Sequence, residues 1–215
     1  MSDIFGEVDE EVRKDKSMVL WNKYGKFVIA GAVLLVAATA GIVGWKNYQL
    51  SQAQAQGEQF EQAVSFATAK KFDEASTAFA ALADGSDAGY EALSRLRQAA
   101  ALISAGKGAD ALEVYDSLAA NEEVGEEFSS IAGILAGYYL INNGSTEDVR
   151  TRVSGLADAG GMWAASAKEL LALSDLKDGK TADAREKLGE LKDDASAPQG
   201  VKARAEQLLA ALEGK

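Results

Sequence analysis

Between Lys26 and Lys46 the chain runs for nineteen residues without a charge, FVIAGAVLLVAATAGIVGW. A helix rises 1.5 Å per residue, so such a stretch covers about 28 Å, the thickness of a bilayer's hydrocarbon core. Amphipathic aromatics stand at both ends: Trp21, Tyr24 and Phe27 before it, Trp45 and Tyr48 after it. Rings of this kind settle at the headgroup level. Arg13, Lys14, Lys16, Lys23 and Lys26 precede the stretch, while Lys46 alone follows within the next twenty residues. The positive-inside bias therefore predicts a cytoplasmic N-terminus, with the chain beyond residue 46 exported. Ala38-Thr39-Ala40 fits a small-x-small cleavage pattern. A long acidic tail before it, and apolar residues continuing through Ile42, Val43 and Trp45, favour an uncleaved anchor.

Within the span, Ala37, Gly41 and Gly44 share one helical face. Small residues there allow close approach of another membrane helix, although alanine and glycine are common in such helices anyway. In the tail, Ile4, Val8 and Val12 lie four apart with Phe5 beside Ile4. A short amphipathic helix and a poorly ordered tail both fit that spacing.

The remainder is rich in alanine and poor in aromatics (7%), with one proline, Pro198, so close-packed helices meet few breakers. A pattern of small, bulky and bulky residues at offsets of four and seven recurs four times. The copies are Ala75-Phe79-Leu82, Ala111-Tyr115-Leu118, Val149-Val153-Leu156 and Ala184-Leu188-Leu191. Those offsets place each trio on one helical face. Five residues before each copy stand Lys70, Gly106, Gly144 and Gly179, where a left-handed turn between paired helices is expected. Twelve before stand Ala63, Ala99, Gly137 and Ala172, small enough for two antiparallel helices to pack backbone-close. Nine before stand Phe66, Leu102, Leu140 and then Asp175, which breaks the apolar rule.

This spacing resembles the tetratricopeptide repeat in divergent form. A first helix near Ser51 opens the series, and Val201, Ala205, Leu208, Leu209 and Leu212 form the apolar stripe of a closing helix after Pro198. The predicted fold is all-α: an N-terminal transmembrane helix, then a tetratricopeptide-like α-solenoid of about four helix pairs with a C-terminal capping helix. The predicted segments are a cytoplasmic tail (1–26), the membrane helix (27–45) and a periplasmic domain (46–215).

Chemistry has little to work with. The chain has neither cysteine nor histidine, which removes thiol nucleophiles, thiolate metal sites and the commonest base at neutral pH. No phosphate-binding loop, dinucleotide fingerprint or nucleophile elbow is present. Glu122-Glu123 and Glu126-Glu127 lack the alternating ligands of a calcium loop and fit solvated helix starts. The expectation is no enzyme and no cofactor. A net charge of -11 without a basic stripe argues against nucleic acid. A binding surface remains. In tetratricopeptide stacks the first helices line the concave face, which here brings in Phe60, Val64, Leu96, Ile103, Ile134, Tyr138, Ile141 and Leu173. Each either lines a groove for extended polypeptide or packs helix against helix.

The whole layout resembles the YfgM family. Gly44-Trp45-Lys46 at the membrane exit, Met162-Trp163-Ala164-Ala165 opening the last repeat, and Asp194-Ala195-Ser196 before the final helix carry the likeness. The resemblance implies an ancillary subunit of the Sec translocon, working with a membrane-anchored periplasmic chaperone on exported polypeptides. It also implies a link to envelope-stress control through the tail. A scaffold for another envelope assembly, in division or outer-membrane biogenesis, is the alternative reading.

Overall fold

A computed structural model describes the backbone of residues 3–213, and the side chains of residue 14 and of residues 18–213. The described residues hold nine α-helices and no strand, as the repeat spacing predicts. The contacts divide the chain into two units, Met1–Ala55 and Gln56–Lys215.

In the first unit, α1 (Asp3–Thr68) is helical throughout and carries the uncharged stretch. None of its most apolar window is covered by protein: Val33, Leu34 and Leu35 are each more than 60% exposed. By length and composition this is a helix able to cross a membrane. The proposed apolar face of the tail, at Ile4, Phe5, Val8 and Val12, concerns side chains outside the described residues.

The second unit begins within the last turns of α1. It continues through α2 (Phe72–Asp84), α3 (Ala88–Ser104), α4 (Gly108–Ala119), α5 (Glu126–Asn143), α6 (Thr146–Ala159), α7 (Ala164–Lys177), α8 (Thr181–Asp193) and α9 (Gln199–Glu213). Sequential helices pack in pairs, and α3, α5, α7 and α9 also touch one another in order. That is the stacking of a solenoid, in which each repeat contacts its neighbours. Eleven of the twelve repeating residues are buried. The exception is Leu156, half-buried beside the fully covered Val149 and Val153. All four small positions are buried as well. At Gly137 the reason is geometric: a Cβ there would lie 2.8 Å from Leu170 Cδ1 and 3.1 Å from Val153 Cγ1.

Three of the four turns are left-handed. Lys70, Gly106 and Gly179 have φ of 59°, 79° and 77°. At each, two backbone N–H groups reach back to carbonyls three and five residues earlier, as Lys107 N does to Leu102 O at 2.8 Å. Gly144 departs from the expectation. Its φ of -137° is extended, its own N–H closes on Leu140 O at 2.8 Å, and Ile141 O is met from the next repeat. Lys177 Nζ donates to Ile141 O at 3.1 Å and to Gly144 O at 2.9 Å. Ser145 then caps α6, accepting from Asp148 N at 3.0 Å.

Asp175 shows why it breaks the apolar rule. Its side chain is 4% exposed and is held by Arg150 of α6 at 3.0 Å and by Lys187 of α8 at 2.8 Å. Burial pushes its carboxyl up, but the two cations outweigh burial and hold it below the usual carboxylate range. Pro198 precedes α9, and Asp194 shapes the approach: its Oδ1 accepts from Ser196 N and Oγ. The apolar stripe of α9 packs on the last pair, burying Val201 and Ala205.

Candidate functional site

The eight positions read from the sequence as a concave lining fall into different environments. Ile134 is 2% exposed and belongs to the core with Val149, Val153 and Leu170. Leu96 and Ile103 pack half-buried on the core between α3 and α4, and Ile141 does the same between α5 and α6. Leu173 is half-buried on α7. Phe60 meets Phe79 edge-on at 5.4 Å and Tyr90 at 6.4 Å. Val64, at 37% exposed, is the most open of the eight. It lines a hollow bounded by Ala67, Phe72, Phe79, Arg97 and Ser104, formed where the end of α1 stands beside α3. Beyond residue 55, the large hydrophobics left exposed among the described residues are Val64, Leu93 and Met162.

Tyr138 is the least apolar of the set in practice. Its hydroxyl donates to Glu169 Oε2 at 2.7 Å. Glu169 also receives Arg204, so one buried carboxylate joins α5, α7 and α9 along the row of first helices. Burial, then the hydrogen bond and the negative charge of Glu169, push the Tyr138 phenol up to about 12. Glu169 gave no apolar signal and was not legible as a site residue.

Neighbouring repeats are also joined by a series of ion pairs. Lys107, just before α4, reaches Asp73 of α2 at 2.9 Å. Arg152 of α6 holds Asp116 of α4 through Nε at 2.8 Å and Nη2 at 2.6 Å. Arg150 of α6 holds Asp178, just after α7, at 2.7 Å, and Thr146 donates to the same carboxylate at 2.8 Å. These pairs fix neighbouring repeats against each other. The carboxylates are committed to cations, an arrangement suited to rigidity and not to proton transfer. Among the described residues no acidic group gathers in a metal-holding set.

In the first unit, Ala37, Gly41 and Gly44 occupy one exposed face of α1. A Cβ added at Gly41 or Gly44 would meet nothing within 4 Å. The surface there is open backbone, available for close approach.

A family model for the tetratricopeptide repeat-like domain matches residues 19–186. The chain belongs to this family. The match takes in the uncharged stretch of α1 as well as the helices through the first part of α8. Comparison with curated proteins and with solved structures finds no match. Tetratricopeptide repeat-like domains point to protein–protein interaction.

Proposed function

We propose that this tetratricopeptide-like protein is anchored in a bacterial inner membrane by residues 27–45. The tail (1–26) then lies in the cytoplasm and the repeat domain (46–215) in the periplasm. Its job on this reading is to hold exported polypeptides beside the Sec translocon, as an ancillary subunit that works with a membrane-anchored periplasmic chaperone. The observation that carries the reading is the reach of the family match. It runs from Val19, through the uncharged stretch, to Glu186, so the apolar helix belongs with the repeats as one family unit. Five basic residues before the span against one after it support the orientation. The bare face at Ala37, Gly41 and Gly44 supports contact with another membrane helix. The hollow at Val64 and Phe72 supports an apolar side chain of a client as the anchoring contact.

One observation favours the alternative of a scaffold for another envelope assembly. The repeat domain exposes few large hydrophobics, which suits a folded, polar partner better than an unfolded chain. Purification of the full chain in mild detergent separates the two. Recovery of translocon subunits and the chaperone supports the first reading; their absence, with division or outer-membrane assembly proteins recovered instead, overturns it.

A further inference from the structure

The solvent-facing stripe of α3 is unusual for a surface helix. Leu93, Arg97, Ala100 and Ser104 are all exposed and lie four, three and four residues apart, on one face. Such a face is ordinarily charged or polar along its length. Here it holds one charge, and an aliphatic residue stands one helical turn before it. Arg97, Ala100 and Ser104 also line the hollow at Val64, to which Thr68 comes from α1 and Phe72 and Phe79 from α2. The hollow measures about 280 Å³, room for one large aliphatic side chain, and it is open to solvent. Two of the three large hydrophobics left exposed beyond residue 55 among the described residues therefore flank one arginine: Val64 on the hollow's side, and Leu93 one turn away.

That arginine is uncommitted. Among the described residues every other arginine holds an oxygen: Arg95 that of Asp84, Arg150 of Asp178, Arg152 of Asp116, Arg185 of the Leu212 carbonyl and Arg204 of Glu169. Arg97 has no hydrogen bond or ion pair with any described residue. An unpaired surface arginine alone assigns nothing, because water solvates it well. Its setting is what selects a partner. No residue lining the hollow is acidic, although the chain carries a net charge of -11. The hydroxyls of Thr68 and Ser104 already donate to Val64 O and Ala100 O, each at 2.9 Å, so the guanidinium is the one free side-chain donor on the hollow. A free cation between two apolar patches complements an anion between two apolar side chains.

We infer that this surface receives an extended polypeptide segment in which an acidic side chain is flanked, two residues before and two after, by aliphatic ones. Side chains two apart in an extended chain face the same way at about 7 Å. That matches the roughly 6 Å of helix from Leu93 to Arg97. The carboxylate pairs with Arg97, one aliphatic side chain enters the hollow beside Val64, and the other covers Leu93. The partner class, polypeptide, rests on the proposed function; the selection for an acidic residue between aliphatic ones goes beyond it.

The test uses the full chain in nanodiscs of zwitterionic lipid. Capped, dye-labelled pentapeptides with leucine at both ends, serine at the second and fourth positions, and glutamate, glutamine or lysine at the centre are titrated by anisotropy against empty discs. The glutamate peptide is expected to bind saturably, the glutamine peptide about five-fold more weakly, and the lysine peptide more weakly still. Arg97→Gln lowers the glutamate peptide to the level of the glutamine one. Arg97→Glu reverses the order, so that the lysine peptide binds best, a gain that a misfolded variant cannot give. No saturable binding up to millimolar glutamate peptide, equal affinity for the three peptides, or an order that Arg97→Glu leaves unchanged overturns the proposal. So does a glutamine peptide with a free C-terminus that outbinds the capped glutamate peptide, since the anion recognised is then a chain end. Failure here with translocon recovery intact leaves the proposed function standing, and the reversed order without translocon recovery leaves the peptide site standing.

Discussion

Arg204 grips Glu169 with two parallel bonds, Nε to Oε1 at 2.6 Å and Nη2 to Oε2 at 2.7 Å. The two partners are unequal. The Glu169 side chain is 2% exposed, whereas the Arg204 side chain is 49% exposed. Removing the arginine strands a buried carboxylate; removing the carboxylate lets the arginine turn to water. Arg204→Ala is therefore expected to cost about 3–5 kcal/mol, and Glu169→Gln only about 1–2 kcal/mol. Urea unfolding of the two variants checks the order, and a larger loss for Glu169→Gln would contradict it.

The buried Asp175 carries a pH dependence whose sign follows from its lowered pKa. A carboxyl held below its unfolded value contributes stability that is present above about pH 4 and lost as pH falls through the folded value. Asp148, Asp178 and Asp194 are lowered too, so the domain is expected to weaken progressively in acid. Asp175→Asn should be less stable at pH 7 and lose less on further acidification. Thermal melts at pH 7, 5 and 3 measure this, and parallel losses in parent and variant would count against the ion-pair account.

Lys70 adopts the left-handed geometry that Gly106 and Gly179 supply at the equivalent turns. A side chain there costs about 1 kcal/mol relative to glycine. Lys70→Gly is expected to raise stability by up to about 1 kcal/mol in denaturant unfolding, and a loss would mean that the lysine side chain holds the turn in another way.

Gly137→Ala should act in the opposite direction despite the better helix propensity of alanine. The added methyl meets Leu170 Cδ1 at 2.8 Å, and Leu170 is fully buried with nowhere to retreat. Overpacking of about 1–3 kcal/mol exceeds the roughly 1 kcal/mol gained from propensity. Equal or higher stability of the variant would show that α5 and α7 shift apart without cost.

The repeat was readable because burial on one helical face leaves a period, and Ala75, Phe79 and Leu82 recur with it in sequence and in the core alike. The charged half of the stack was not. An exposed and a buried glutamate are the same letter, so Glu169 on α7 gave nothing away. Asp175 alone left a trace, because it stands where the other copies carry Phe66, Leu102 and Leu140. A second trace lay in the spacing. Asp73 with Lys107, Asp116 with Arg152, and Glu169 with Arg204 are each about one repeat apart. Residues one repeat apart occupy equivalent places in successive copies, so opposite charges at that spacing become neighbours. Ile134, read as a groove residue, shows the converse limit: apolar periodicity marks a face as buried without saying by what.

The most direct test of the account places a photocrosslinking amino acid at Val64, and separately at Gly41, in the full chain in living cells. The account predicts adducts from position 64 with exported polypeptides, and from position 41 with a membrane subunit of the translocon. Adducts at position 41 with other membrane proteins alone, together with no exported polypeptide at position 64, would contradict it.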